Sequence, residues 1–249
     1  MDATELSGSP AGEPGGRRGG GAGMIWLREE RRGPRRAAPL TRARIVEAAV
    51  ALLDEHGIDG LTMRRLAQRL AVTSTALYWH VKTKDDVLDL ALDEIFGEVP
   101  LPAEGDWRDD VRALTSGWRG AMLRHPWAPN LIGRPMLGPN VLARTEFLQS
   151  ALVRGGHTGV HLAVVTRMVA NYVIGAALTE TTWRTTADPE ARAVARRQLA
   201  ANPTAYPTLV ASGHLDEGPW NDDDLFERGL DAMLATPASG FDARERARY

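Results

Sequence analysis

The chain has no cysteine among its 249 residues. Disulfide bonds and thiolate metal sites are therefore excluded, and a reducing cytoplasm is the expected location. No apolar run long enough to cross a bilayer is recognisable, and the N-terminus has no hydrophobic signal segment, so we expect no membrane partner. Lysine is scarce as well, because only Lys82 and Lys84 are lysines among 30 basic residues.

Motifs of catalysis and nucleotide binding are also absent. The sequence contains no G-x-S-x-G and no phosphate loop, and without cysteine it has no thiol nucleophile. The glycine-rich stretch GRRGGGAG at residues 16–23 does not follow a predicted strand, as a nucleotide site requires. We therefore expect a protein that is not an enzyme and that uses no cofactor.

The charges are unevenly distributed, although the net charge is only −2. Residues 1–84 carry 14 basic and nine acidic side chains, whereas the remainder carries 16 basic and 23 acidic ones. A basic half joined to an acidic half is typical of a DNA-binding module with a separate regulatory module. The hydrophobic fraction of 43% is enough for one or two globular domains.

The stretch LTMRRLAQRLAVTSTALYWHVKTK, residues 61–84, has the pattern of a helix-turn-helix. Leu66 and Leu70 recur at helical spacing, and Thr62 precedes them as an N-cap. In the second helix Leu77 is the one clearly inward residue. The hydroxyl and aromatic side chains of that helix are then left to point outward, which suits a DNA major groove.

This stretch resembles the DNA-binding domain of the TetR family of transcriptional repressors. The residues that carry the resemblance are GIDGLTMRRLAQRLAVTSTALYWHVKTKDDVLDLAL, Gly57 to Leu92, and LYWHVKTK is close to the tetracycline-repressor branch. The resemblance is strong from Thr41 to Leu92 and looser to Ala235. One departure is Ala71, where the family often has glycine. A left-handed backbone conformation there would cost about 1 kcal/mol.

The resemblance implies an all-α fold. It consists of an N-terminal three-helix DNA-binding domain, a linking fourth helix, and a larger helical ligand-binding and dimerisation domain. Arg64 can bond a guanine through two nitrogens, and hydroxyls of the second helix can bond bases or phosphates. For Trp79, core packing and DNA contact are both open. The candidate DNA-binding residues are Arg64, Thr73, Ser74, Thr75, Ala76, Tyr78, Trp79, His80 and Lys84.

Beyond the prolines at positions 100 and 102 the pattern predicts helices only. Val160 to Arg184 is apolar nearly all round, which indicates burial on more than one side, and with Asp224 to Leu234 it is expected to hold a homodimer. Aromatic, methionine and polar side chains here suit either an ordinary core or a small-molecule pocket, and the resemblance favours the pocket. The candidate ligand-binding residues are Trp118, Trp127, Arg134, Phe147, Met168, Asn171, Tyr172 and Glu180.

Two histidines, His157 and His161, are one helical turn apart, which is a possible metal pair. No second Glu or His pair accompanies them, so we interpret them as residues of a helix surface and expect no metal.

Between Arg28 and Arg44 there are seven arginines, which form either a solvated tail or an arm that contacts DNA.

These patterns predict that the chain is divided into four parts. Residues 1–40 are expected to be a disordered, basic extension, and residues 237–249 a C-terminal tail. Residues 41–98 are the helix-turn-helix domain, and residues 106–236 the ligand-binding and dimerisation domain.

The predicted function is a dimeric repressor released from a palindromic operator by a small-molecule effector. The alternative within this class is a ligand-independent or activating DNA-binding regulator. The alternative outside it is a non-specific helical DNA-binding or interaction protein.

Overall fold

The computed structural model describes residues 40–132, 134–186, 188–213, 215 and 221–235. The predicted basic extension, except its last residue, and the predicted C-terminal tail lie outside the described residues. Within them the chain is all-α and has no strand. The first four helices, which we call the head, are α1 (Arg42–Gly60), α2 (Met63–Arg69), α3 (Ser74–His80) and α4 (Lys84–Gly97).

The helices from residue 107 onward form the body. They are α5 (Trp107–Arg124), α6 (Pro139–Arg154), α7 (Gly159–Thr186), α8 (Pro189–Ala201), α9 (Pro207–Ala211) and α10 (Asp222–Leu234), with a 3-10 turn at Pro129–Leu131. Helices α5, α6, α7 and α10 pack on one another, and no described residue of α8 or α9 is buried. Helix α9 is the shortest of these α-helices, with five residues.

A threonine begins every helix of the head. The hydroxyl oxygens of Thr41, Thr62 and Thr73 each accept a hydrogen bond from the backbone N–H three residues later, at 3.1–3.3 Å. Thr83 and Asp86 form a complete capping box at the start of α4. These bonds satisfy N–H groups that the helix itself cannot, and the bond at Thr62 confirms the N-cap predicted from the sequence.

Two residues with positive φ shape the turns of the head. Gly57 has φ +66° and interrupts the regular part of α1. Ala71, between α2 and α3, has φ +54°. The left-handed conformation considered for this alanine is therefore present, and its Cβ is strained where glycine would be relaxed.

Helix α7 buries one stripe and exposes the other. Val165, Val169, Val173 and Ala177 follow each other at four-residue spacing and are at most 3% exposed. The opposite side is exposed, so burial on more than one side, as predicted from the sequence, does not occur within one protomer.

From the sequence we expect no apolar run long enough to cross a bilayer, and α7 corrects this prediction. By length and composition alone, residues 159–184 are long and apolar enough to cross a membrane. Core helices of soluble proteins can be as long and as apolar, so length and composition alone are weak evidence of a membrane span.

Polar groups of α4 hold the head to the body. Asp93 accepts hydrogen bonds from the backbone N–H groups of Asn140 and Val141, at 3.3 and 2.9 Å, and so caps α6 from another helix. Arg144 of α6 donates to the carbonyls of Gly97 and Val99 at 2.8 and 2.9 Å. Burial raises the pKa of Asp93, and the hydrogen bonds oppose that rise. The end of α4 and the start of α6 are thus tied together.

Candidate DNA-binding surface and ligand site

Helix α3 presents an outward surface of hydroxyl and aromatic side chains. Leu77 is fully buried and fixes the rotation of the helix against the head. Ser74 and Thr75 are then exposed, and Tyr78 and Trp79 are 42% and 57% exposed. The core role considered for Trp79 is therefore wrong, because a side chain this exposed cannot close a core.

The basic candidates flank α3 in different ways. Arg64 on α2 is exposed. Lys84, at the start of α4, is half-buried, and its Nζ donates a 2.7 Å hydrogen bond to the carbonyl of Ile58. Lys82 Nζ donates to the carbonyl of Tyr78 at 2.8 Å. Lys84 therefore has a structural role in the head in addition to its charge, which the sequence alone does not predict.

The remaining predicted DNA-binding residues also belong to α3 or its cap. Thr73 is the exposed N-cap, Ala76 is half-buried, and His80 is half-buried at the last position of the helix. Nδ1 of His80 is inaccessible to solvent and has no hydrogen-bond partner. The predicted DNA-binding residues thus lie on α3 and its N-cap, except Arg64 and Lys84, which lie at the starts of α2 and α4.

In the body, Trp118 is the candidate ligand residue with an unmet polar group. It lies on α5, is 7% exposed, and meets Phe96 of α4 edge to face with ring centroids 6.0 Å apart. Its indole Nε1 is buried and has no hydrogen-bond partner. A buried N–H without an acceptor is unfavourable by about 1–3 kcal/mol, so this position favours a ligand that supplies one.

Two other candidates, Arg134 and Glu180, are engaged with protein partners instead. Arg134 Nε donates to Asp89 of α4 at 2.7 Å, and its Nη1 lies 3.0 Å from Asp85. Glu180 of α7 receives two hydrogen bonds from Arg119 of α5, at 2.6 and 2.8 Å. Internal ion pairs thus satisfy both polar groups without a ligand, and their role in ligand binding stays a prediction.

The other ligand candidates do not converge on Trp118. Asn171, Tyr172 and Glu180 line a groove of about 390 Å³ between α7 and α10, and the Tyr172 hydroxyl donates to the carbonyls of Leu225 and Phe226. Met168 is 43% exposed. The last two lie elsewhere: Phe147 is half-buried against the core, and Trp127 donates to Asp54 at 2.7 Å.

The histidine pair lies in the interior rather than on a helix surface, which corrects the interpretation from sequence. His157 and His161 are 2% and 4% exposed, and their Nδ1 atoms are 3.1 Å apart. Burial, the neighbouring His161 and Arg108 lower the pKa of His157. Among the described residues no group of three His, Cys, Asp or Glu side chains could hold a metal ion.

Sequence reasoning missed the carboxylates that join head and body. Asp85, Asp89 and Asp93 recur every four residues on α4 and bond residues of the segment from Arg134 to Val141. That spacing was visible in the sequence as an acidic stripe at helical periodicity. Arg119 was missed as well, because no local pattern marks an arginine whose partner is 61 residues away.

The sequence matches two models of known protein families. Residues 45–91 match the family model for bacterial regulatory proteins of the tetR family, and residues 99–236 match the tetracyclin repressor-like C-terminal domain. The chain belongs to the TetR family. It is a DNA-binding transcriptional regulator whose head is the helix-turn-helix domain, so the predicted family and all-α architecture are confirmed.

Individual TetR-family proteins resemble the chain over most of its length. An HTH-type transcriptional regulator of Saccharopolyspora erythraea is 43% identical over 224 residues, which cover 88% of this chain and 93% of the relative. The TetR-family protein ActR of Streptomyces coelicolor, in complex with actinorhodin, has 32% identity and a TM-score of 0.69, covering 80% of this chain and 95% of that one.

A DNA complex is also similar in structure. BioQ bound to its double-stranded DNA operator has 31% identity and a TM-score of 0.53, and the match covers 58% of this chain and 90% of BioQ. TetR-family structures thus include both a small-molecule complex and an operator complex.

Proposed function

We propose that this TetR-family protein is a homodimeric repressor that a small molecule releases from a palindromic operator. The observation that carries the proposal is the exposed pair Tyr78 and Trp79 on a helix rotated outward by buried Leu77. Exposed adjacent aromatics are unusual unless a partner covers them. The protein acts in the cytoplasm and has no catalytic activity of its own.

In this proposal α3 enters the major groove of the operator. Arg64 reads a base edge, and Ser74 and Thr75 bond bases or phosphates from the first turn of α3. Tyr78 and Lys84 contact phosphates, and Trp79 and His80 lie against the sugar-phosphate backbone. BioQ, a structural relative, is known in complex with its operator, which supports the assignment.

A second copy of the chain packs on α7 and α10. Val160, Met168 and Leu178 of α7 and Leu225 of α10 are 37–56% exposed in one protomer. At Gly175 a Cβ would meet nothing within 4 Å, so a partner helix can approach closely there. Two helices from each copy form a four-helix contact with two-fold symmetry, which explains why the operator is palindromic.

The effector binds in the body beside Trp118 and accepts a hydrogen bond from its unpartnered indole N–H. ActR, which is similar over 80% of this chain, is known in complex with actinorhodin, and this supports a small-molecule ligand for the present protein. A tenfold preference for the conformation that does not bind DNA corresponds to about 1.4 kcal/mol of coupling. Trp118 packs on Phe96 of α4, so a ligand there can displace the helix that carries the head.

The DNA part of the proposal is tested by selecting genomic fragments that the purified dimer retains, and then measuring affinity for the selected operator. The double variant Arg64→Ala/Tyr78→Ala should lose about tenfold or more in affinity, as one base and one phosphate contact predict. The matched control Arg197→Ala/Tyr206→Ala, on exposed positions of the body, should bind as the native protein does. Native affinity in the first variant would contradict the assignment.

The ligand part is tested by a thermal-shift screen of metabolites and drugs, followed by operator titration with each stabilising compound. Trp118→Phe should keep operator affinity and lose response to the compound. If no stabilising compound changes operator affinity, the result favours the alternative hypothesis of a ligand-independent or activating regulator. Equal affinity for all sequences would instead favour the non-specific DNA-binding protein.

A further inference from the structure

A second cavity of the protein lies between the head and the body, away from Trp118. It is a crevice of about 490 Å³, which is within the range of ligand-sized cavities. One wall is the end of α1, with Leu53 and Ile58, and the other is the segment after α5, with Pro126 and Trp127. An occupant would therefore touch both the head and the body.

The charges of this head–body crevice are all negative among its described lining residues. Asp54 and Asp59 line it, and no arginine, lysine or histidine does. Asp54 Oδ1 accepts from His125 Nδ1 and Trp127 Nε1, at 2.8 and 2.7 Å, while its side chain is 35% exposed. Asp59 is exposed and forms no ion pair within the described part of the chain. Asp54 is therefore engaged by His125, and the carboxylate of Asp59 is the charge that favours a cation at the mouth of the crevice.

We propose that the head–body crevice is a binding site for a small organic cation with an apolar body, such as an arylalkylamine. The ammonium lies at the carboxylate of Asp59 beside Asp54, and the apolar part packs on the accessible side chains of Ile58 and Pro126. This site is separate from the one beside Trp118 and selects its ligand by charge.

A bond from the crevice wall reaches the DNA-binding surface. The carbonyl of Ile58, whose side chain lines the crevice, accepts the 2.7 Å hydrogen bond from Lys84 Nζ. The preceding residue, Gly57, also lines the crevice and has φ +66°, so the backbone departs from the helix at this point. A cation seated against Ile58 shifts this carbonyl and with it Lys84, which alters operator affinity. This regulatory consequence rests on the proposed function, whereas the binding itself does not.

The test uses three probes with the same phenylethyl group and different charge: 2-phenylethylamine, 2-phenylethanol and 3-phenylpropanoate. Binding to the full-length protein is followed by the NMR signals of the indole N–H groups, with Trp127 identified by loss of its signal in Trp127→Phe. The amine should shift the Trp127 signal saturably and bind about two- to fivefold more tightly than the alcohol, the ratio expected for a partly exposed ion pair. The acid should bind more weakly than the alcohol.

Variants of exposed carboxylates isolate the charge effect. Asp59→Asn should remove most of the preference for the amine over the alcohol, whereas Glu94→Gln, an exposed acid on α4 outside the crevice, should keep it. Equal binding of amine and alcohol, an unchanged preference in Asp59→Asn, or no shift at about 10 mM amine would overturn the site. A shift of the Trp118 signal alone would also overturn it, because the probe would then occupy the body.

The regulatory consequence is measured on the selected operator. With the amine at saturation, the dissociation constant for the operator should change about threefold or more in the native protein, and less in Asp59→Asn. Saturable binding without this change would refute the coupling through Ile58. Failure of the protein to prefer any operator, with the amine still bound, would refute the proposed function and leave the crevice site standing.

Discussion

The buried ion pair between Arg119 and Glu180 allows a quantitative test of how α5 and α7 are held together. The two side chains are 11% and 5% exposed, and two hydrogen bonds of 2.6 and 2.8 Å join them. Arg119→Met leaves the Glu180 carboxylate with only Arg184, whose Nη2 is 3.9 Å away and whose side chain is 63% exposed. Breaking one partner of such a pair should destabilise the protein by about 3–5 kcal/mol.

Replacing both partners should restore most of the lost stability. Arg119→Met/Glu180→Leu removes both charges together and keeps apolar volume, and the guanidinium that lies 4.9 Å above the Phe226 ring is replaced by a thioether that also packs on aromatics. The double variant should therefore be within about 1 kcal/mol of the native free energy of unfolding. The coupling energy of the double-mutant cycle is then several kcal/mol.

The assay is urea unfolding at one fixed protein concentration, because dimer stability depends on concentration. The matched control is the exposed pair Arg112 and Asp231, which joins α5 to α10 with side chains 38% and 52% exposed. The same cycle there should yield a coupling of about 1 kcal/mol or less. If the Arg119 and Glu180 variants are additive, or couple no more than the control, the buried pair does not hold these helices together.

The remaining predictions concern single positions. Ala71→Gly relieves the φ +54° strain at an exposed site and should raise stability by about 0.5–1 kcal/mol, since the glycine's larger unfolded-state entropy offsets part of the gain; Ala113→Gly, on the exposed side of α5, should lower it by about 1 kcal/mol. Because burial lowers the pKa of His157, the unfolded chain binds a proton there first as the pH falls below about 6.5, so stability should decline with falling pH in that range. His157→Gln should flatten the change in urea midpoint between about pH 7.5 and about pH 5.5, and an equal slope in both proteins would show that His157 is not its source. Lys84→Ala should weaken binding to operator and competitor DNA alike, with a salt slope smaller by about one, and lower stability because the carbonyl of Ile58 loses its donor; a loss confined to the operator would show base reading instead.

Features that depend on neighbours within a few residues could be predicted from the sequence. The threonine caps of the head, the capping box of Thr83 and Asp86, and the turn at Ala71 all follow from contacts between residues at most four apart. The outward direction of the α3 surface follows from the helical period around Leu77 in the same way. The helix-turn-helix could therefore be located without coordinates.

Features that depend on distant partners could not. Arg119 meets Glu180 across 61 residues, Trp127 meets Asp54 across 73, and Lys84 meets the Ile58 carbonyl across 26. A sequence shows that such side chains are polar, but not that a carboxylate or carbonyl will lie within 3 Å of them. This is why Arg134 and Glu180 resembled ligand contacts and proved to be ion-paired.

Burial of polar side chains was likewise decided by packing between helices. His157 and His161 are one helical turn apart in sequence, yet both lie in the interior, where His157 meets the ring of Trp107, the first residue of α5. The periodicity of one helix shows which residues share a face, whereas only its neighbours determine whether that face meets water. The same reason applies to α7, where the sequence determined an apolar helix, and the tertiary structure decided which stripe is buried and which is left for a second copy of the chain.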